Sequence, residues 1–331
     1  MNVVLVGYGS IGSRYKEALL KFLSTEDNLY IVDNKASKVT ELVNQGFNAF
    51  ESLEELVKKK NFTHGIVSNW APDHIKTAQK LIDMGCQRLI IEKPISCRKD
   101  ELDLLKQRCK TENIFVTVHH HWSYTNMLNT IKENQEKFNL GNPVGIRFMG
   151  GAVCLSTNGV HYFDLGCHLL DSMPLEITAD LELDYINPRS KHLVNIGGMA
   201  SYKMKNGTFI HTSFSNSNSQ AFKSEIIYRH GIIEINTKLE LTCYKRKAYE
   251  ILKYGEKITR YGHMELFSKI NYKNQNTIDC ILKNLFEGRN PVVSLDRAEI
   301  ALLMILGALD SHLSNKKIKF DNIKDQGIAF S

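Results

Sequence analysis

The chain has 331 residues, of which 43% are hydrophobic and 24% charged, and it carries a formal net charge of +6. That length suits two domains with separate cores, and the composition is that of a soluble globular protein. No apolar run approaches the roughly 20 residues needed to span a bilayer, and the basic clusters at 58–60, 245–247 and 316–317 are too short and scattered for a nucleic-acid footprint.

The sequence opens directly on MNVVLVGYG, a buried-strand pattern with no basic leader. Its seven cysteines show no Cys-x-x-Cys spacing, which predicts reduced thiols and a cytoplasmic location. Strand-like VVLVG (3–7) precedes a helix to about residue 22. LYIVD (29–33) follows, then a helix over 36–45, NAF (48–50) and a helix near 52–60. GIVSN (65–69) leads into a helix over 73–84. RLIIEKP (88–94), a helix over 99–112 and IFVTV (114–118) close the series. Apolar strands alternating with helices predict a doubly wound parallel sheet of Rossmann type over 1–118. Beyond a linking helix (125–138), period-2 segments dominate: EITADLELDY, VNIGGMASYKM, GTFIHTSFS, KSEIIYRHG, IIEINT and LELTCYKR. They predict a large, open, mostly antiparallel sheet in an α+β domain over 119–331, with helices returning at 264–287 and 295–313.

GYGSIG places Gly7, Gly9 and Gly12 in G-x-G-x-x-G register, after a strand and at the start of a helix, with Asp33 at the end of the second strand. Gly7 permits the turn, Gly9 lets backbone approach a pyrophosphate, and Gly12 allows the helix to pack closely. The helix start around Tyr8, Ser10 and Ile11 offers N–H groups to phosphate. Asp33 would accept from the adenosine ribose and repel a 2′-phosphate, so NAD(H) is expected, while the nearby Lys35 and Lys38 keep NADP(H) open.

Two further patterns carry chemistry. IIEKP ends the fifth strand at the carboxyl edge of the sheet, where Glu92 and Lys93 read either as a strand-end ion pair or as functional groups. STNGVHYFDLGCHLLD (156–171) repeats Gly-x-His-x-x-Asp, at Gly159, His161, Asp164 and again at Gly166, His168, Asp171. GYGSIG, EKP and GVHYFD, in that order and on those elements, resemble the Gfo/Idh/MocA family of sugar oxidoreductases, and the resemblance runs over nearly the whole chain. It implies that Lys93 is the catalytic lysine with Glu92 beside it. It also implies that the loop from Asn69 and Trp70 through Pro72 and His74 lines the nicotinamide end.

On a helical wheel His161, Asp164, His168 and Asp171 fall within about an 80° arc. His161 and His168 stand roughly 10 Å apart along the axis, so only one can serve a given carbon. A cap at Thr157 or Asn158 would put His161 in the first turn, where a neutral imidazole is favoured. The helix must also stop before Pro174. His161 is therefore expected to act, with Asp164 and Asn158 orienting it or the sugar hydroxyls. Thr157 stands where many members of the family carry Asp, and Asp164 with His168 restores Asp-x-x-x-His, so His168 stays the alternative. In HHHWSY (119–124), neighbouring histidines on an extended segment point apart and predict no metal site. His119, His121 and Trp122 are candidates for the substrate. The expected activity is hydride transfer between a nicotinamide and a carbinol of a sugar or nucleotide sugar, in a homodimer or homotetramer. The rivals are a non-catalytic dinucleotide sensor and a redox-neutral NAD-dependent epimerase or glycosidase.

Overall fold

Val3, Val4 and Leu5 have no exposed surface, and neither do Ile66, Val67, Leu89, Ile90 and Ile91. Each such side chain stabilises the fold by about 1.5–3 kcal/mol relative to exposure, which is why these apolar runs organise the first sheet. The computed structural model describes residues 1–56, 62–151, 153–184, 192–215, 217–246 and 263–330. Six strands, β1 (Asn2–Val6), β2 (Asn28–Val32), β3 (Asn48–Phe50), β4 (His64–Val67), β5 (Arg88–Ile91) and β6 (Phe115–Val118), are all parallel, in the order β3-β2-β1-β4-β5-β6. Helices α1 (Ser10–Phe22), α2 (Ala36–Asn44), α3 (His74–Asp83) and α4 (Lys99–Glu112) make the crossovers. Right-handed crossovers put α1 and α2 on one face and α3 and α4 on the other. The strand order reverses between β1 and β4, which opens a crevice at their carboxyl ends. Of the helix expected near 52–60, the described residues show a 3₁₀ turn at Glu54–Leu56. Residues 57–61, with the basic cluster 58–60, lie outside the described residues.

By compactness the chain forms two units. The first comprises Met1–Tyr124, Asn276–Leu302 and Gly327–Ser331, and the second Thr125–Gln275 and Leu303–Gln326. Within the first unit, helix α7 (Thr277–Phe286) buries Ile278, Ile281, Leu282 and Leu285 and packs against α1 and β5. Asn276 starts it by accepting from the Ile278 and Asp279 amides at 3.1 and 3.4 Å. Helix α8 (Leu295–Ser314) contributes residues to both units.

The second unit holds α5 (Met127–Lys137), α6 (Val160–Leu170) and a nine-stranded sheet. Its strands are β7 (Pro143–Gly151), β8 (Pro174–Asp184), β9 (Asn195–Met204), β10 (Phe209–Ser215), β11 (Lys223–Tyr228), β12 (Gly231–Asn236), β13 (Leu241–Arg246), β14 (Met264–Ile270) and β15 (Ile318–Lys319). Their order is β14-β13-β12-β11-β7-β10-β9-β8-β15, antiparallel throughout except where β7 runs parallel to β10. Helix α6 lies on the sheet through Tyr162 against Phe148 and Phe163 against Tyr202, with ring centroids 4.9 and 5.0 Å apart.

Strand β7 and residues 264–270 differ from the sequence expectation. Strand β7 was not anticipated, because Pro143, Gly145, Gly150 and Gly151 blur its period, yet Ile146 and Phe148 are fully buried at the centre of the sheet. Residues 264–270 form strand β14, not the start of a helix. Leu266 and Phe267 are 59% and 53% exposed, so no buried helical stripe drives this segment, and pairing with β13 does. Among the described residues no helix is long and apolar enough to cross a membrane, and no cysteine forms a disulfide.

Candidate functional site

The first cluster sits in the first unit, at the carboxyl end of β1. Gly7 takes φ +93°, a left-handed conformation that glycine adopts without strain. A Cβ there would lie 2.5 Å from the Asn69 amide nitrogen, and a Cβ on Gly12 would collide with the Gly7 carbonyl oxygen. The loop thus folds back on α1 as tightly as backbone permits. At Gly9 the opposite holds, since a Cβ would meet nothing within 4 Å. That open space borders the start of α1, whose first turn carries no acid, which fits a pyrophosphate seated on unpaired N–H groups. Asp33, 8% exposed, accepts from the Tyr8 amide at 2.7 Å through Oδ2 and from the Lys35 amide at 3.0 Å through Oδ1. Lys38 also reaches its Oδ2, at 3.3 Å.

The second feature is the end of β5. Glu92 is 5% exposed, and its Oε1 accepts from the Tyr15 hydroxyl at 3.0 Å and lies 2.7 Å from His119 Nδ1. A carboxylate only accepts, so Nδ1 carries the proton. Glu92 Oε2 accepts from the Lys93 amide at 3.3 Å, and His119 Nε2 lies 3.0 Å from the Thr277 hydroxyl. The Lys93–Pro94 peptide is cis. Burial alone would raise the Glu92 pKa, but His119, Lys93 and Tyr15 outweigh it and hold the carboxyl down to about 2. The Tyr15 hydroxyl is pushed up by burial and by the Glu92 charge.

A depressed carboxyl contributes stability that is present above its unfolded value of 4.5 and is lost as pH falls through about 2. Glu92→Gln is expected to cost on the order of 3 kcal/mol at neutral pH and to flatten the acid limb of stability between those limits, measured by urea unfolding from pH 2 to 7. An unchanged acid limb would remove Glu92 from this role.

The HHHWSY segment turns inward. His119 and His120 are 6% and 1% exposed. Both His119 ring nitrogens are engaged, by Glu92 and Thr277. His121 Nδ1 lies 3.4 Å from the Thr277 hydroxyl, and burial, with help from His119 and Lys93, lowers its pKa to about 4. Trp122 is buried and meets the His121 ring edge-on at 4.7 Å. Among the described residues no group of three His, Cys, Asp or Glu is arranged to hold a metal ion.

The loop after β4 divides its candidates. Trp70 is 50% exposed, whereas His74 is 1% exposed. His74 Nδ1 is 2.8 Å from the Pro94 carbonyl and Nε2 is 3.1 Å from the Asn69 carbonyl, and a neutral ring donates to one of the two. Burial lowers its pKa and favours the neutral ring. Asn69 donates to Thr77 at 2.9 Å, while its buried Oδ1 has no hydrogen-bond partner, an acceptor left for a ligand at this edge. Pro72 lies in the 3₁₀ turn Ala71–Asp73.

The remaining candidates belong to the second unit. A π-turn at Leu155–Gly159 runs directly into α6. The cap is neither Thr157 nor Asn158 but Cys154, whose Sγ accepts the Thr157 amide at 3.3 Å. Asn158 answers by accepting the Cys154 amide at 3.3 Å, so its carbonyl is committed to the turn. His161 follows on the second residue of α6 and is half-buried. The four polar groups of the expected arc do not share one environment. The Asp164 side chain is 1% exposed, and Asp171 leaves the helix at φ +46°. The reason is that α6 lies flat on the sheet and its polar arc spans the boundary of the buried face. His168 Nδ1 donates to the Asp164 carbonyl at 3.0 Å and stands 4.0 Å from its carboxylate.

Sequence reasoning overlooked Tyr15, Thr277 and Cys154. Tyr15 and Thr277 carry no local pattern that marks them, since their partners lie on distant elements.

Residues 1–120 match the Gfo/Idh/MocA family, described as oxidoreductase family, NAD-binding Rossmann fold. A comparison with curated proteins finds no match. Among solved structures, the chain resembles a myo-inositol 2-dehydrogenase from Lactobacillus plantarum at 13% identity and TM-score 0.71, over 98% of this chain and 99% of that one. It resembles a UDP-N-acetylglucosamine 3-dehydrogenase from Acidithiobacillus ferrooxidans at 15% identity and TM-score 0.70, over 95% and 97%. An oxidoreductase from Agrobacterium radiobacter, in complex with NAD+, L-tartaric acid and magnesium, matches at 13% identity and TM-score 0.74, over 97% and 98%. At such identities the likeness is one of fold. The family match covers the residues that hold the glycine loop, Asp33 and the Glu92–Lys93 pair.

Proposed function

We propose that the protein is an NAD(P)-dependent dehydrogenase, NAD(H) preferred, that moves a hydride between nicotinamide and a carbinol carbon of a sugar or nucleotide sugar. One observation carries the reading: the unit with the dinucleotide cradle also holds Lys93 at the end of β5, on a backbone anchored by the buried Glu92–His119 pair. Fold likeness to an inositol dehydrogenase and a nucleotide-sugar dehydrogenase supports the substrate class. In this division residues 1–118 bind the dinucleotide and 119–331 bind substrate and associate as a homodimer or homotetramer. The exposed Met199, Leu266 and Phe267 on the second sheet support that association.

When bound, the nicotinamide supplies the hydride acceptor or donor. The loop Gly7–Gly12 takes the pyrophosphate, Asp33 the ribose, and Asn69, Trp70 and Pro72 the nicotinamide end, while His74 and Glu92 brace that end from behind. Lys93, as its ammonium, polarises the forming carbonyl, and His161 shuttles the hydroxyl proton, oriented by Asp164. His121 and Trp122 border the substrate, and His119 and Asn158 position their neighbours.

The test follows reduced-nicotinamide absorbance with a panel of sugars and nucleotide sugars, together with product analysis. A steady change supports the dehydrogenase. Product without net absorbance change replaces it with a redox-neutral epimerase or glycosidase. Dinucleotide binding with neither replaces it with a sensor, the outcome that Thr157, standing where the family often has Asp, would favour.

A further inference from the structure

Asp33 has about four lone-pair positions for hydrogen bonds. Three are filled from within the chain, by the Tyr8 amide at 2.7 Å, the Lys35 amide at 3.0 Å and the Lys38 ammonium at 3.3 Å. Lys38 also donates to the Tyr8 carbonyl at 2.5 Å, so it spans from α2 to the glycine loop across the end of β2. An ammonium has three donors, and this contact pair uses two. The Lys38 side chain is 31% exposed while the Asp33 side chain is 8% exposed, so of this ion pair the cation is the partner presented to solvent. No acid lies in the first turn of α2, and the exposed Lys35 adds a second positive charge beside it.

In sheets of this strand order the acid at the end of the second strand receives the ribose 2′-hydroxyl and repels a 2′-phosphate. Here that acid is neutralised in place, and the third Lys38 donor remains for the ligand. We propose that Lys38 is a specificity-determining residue that offsets the Asp33 charge and lets the site accept NADP(H) alongside NAD(H). The inference rests on the dinucleotide reading of the Gly7–Gly12 loop and concerns only its adenosine end. A lysine three residues into a helix was visible in the sequence, but its reach back to Tyr8 was not.

The experiment measures binding of NADH and of NADPH by calorimetry to the full chain, to Lys38→Met and to Lys38→Arg. The unsubstituted protein is expected to bind both within about tenfold of each other. Lys38→Met should weaken NADPH by at least about tenfold and change NADH by less than about threefold, so retained NADH binding also reports that the variant is folded. Lys38→Arg keeps the charge and should retain NADPH. An NADPH-to-NADH ratio unmoved by Lys38→Met overturns the role of Lys38, as does an unsubstituted protein that binds NADH and rejects NADPH. If neither dinucleotide binds the unsubstituted chain, the reading of the loop fails first and carries the inference with it.

Discussion

His161→Ala is expected to lower kcat by about 10²–10⁴, the usual contribution of a positioned general base. His161 stands at the second residue of α6, just past the π-turn at Leu155–Gly159. Packing of the next two residues, Tyr162 on Phe148 and Phe163 on Tyr202, fixes this part of the helix against the sheet. His168 is placed differently, since its Nδ1 is occupied by a carbonyl of its own helix. His168→Ala should therefore cost much less, with the effect on KM and not on kcat. In carbinol oxidation the parent rate should fall toward acid pH as a base is protonated, and that limb should vanish in His161→Ala. A larger loss from His168→Ala than from His161→Ala would transfer the catalytic role to the second copy of the motif.

Lys93→Met should lower kcat by about 10²–10³, the effect of removing one preorganised charge from a developing oxyanion. Methionine keeps most of the side-chain length and leaves the backbone bond from Lys93 N–H to Glu92 intact, so the loop geometry survives. NADH affinity is expected to stay within about threefold of the parent, which separates loss of chemistry from loss of binding. Lys93→Arg should not restore full activity, because a planar guanidinium cannot occupy the position of a compact ammonium. Full turnover in Lys93→Met would remove the amine from the reaction.

The glycine loop, Asp33, Lys93 and the doubled histidine motif were legible because each is local: the spacing within a few residues carries the information. The parallel sheet was legible for the same reason, since near-continuous apolar runs mark strands buried on both faces. What escaped were relations between distant residues. Tyr15, Glu92, His119 and Thr277 come from four separate elements and meet through hydrogen bonds that no periodicity records. The cap at Cys154 escaped because sulfur is an uncommon acceptor for a helix start, and the hydroxyl and amide of Thr157 and Asn158 were the stronger local candidates. Strand β7 escaped because glycine and proline masked its alternation, although its place between β10 and β11 requires it.

The docking of α7 on α1 and β5 bears on how the polypeptide comes off the ribosome. Residues 1–118 emerge first and can pair all six strands early, but the surface that receives Ile278, Ile281, Leu282 and Leu285 stays bare until most of the remaining chain has been translated. His119 likewise waits for Thr277 to complete its bonding. A nascent first unit therefore exposes a greasy flank for much of its synthesis, a window in which chaperone capture competes with self-association.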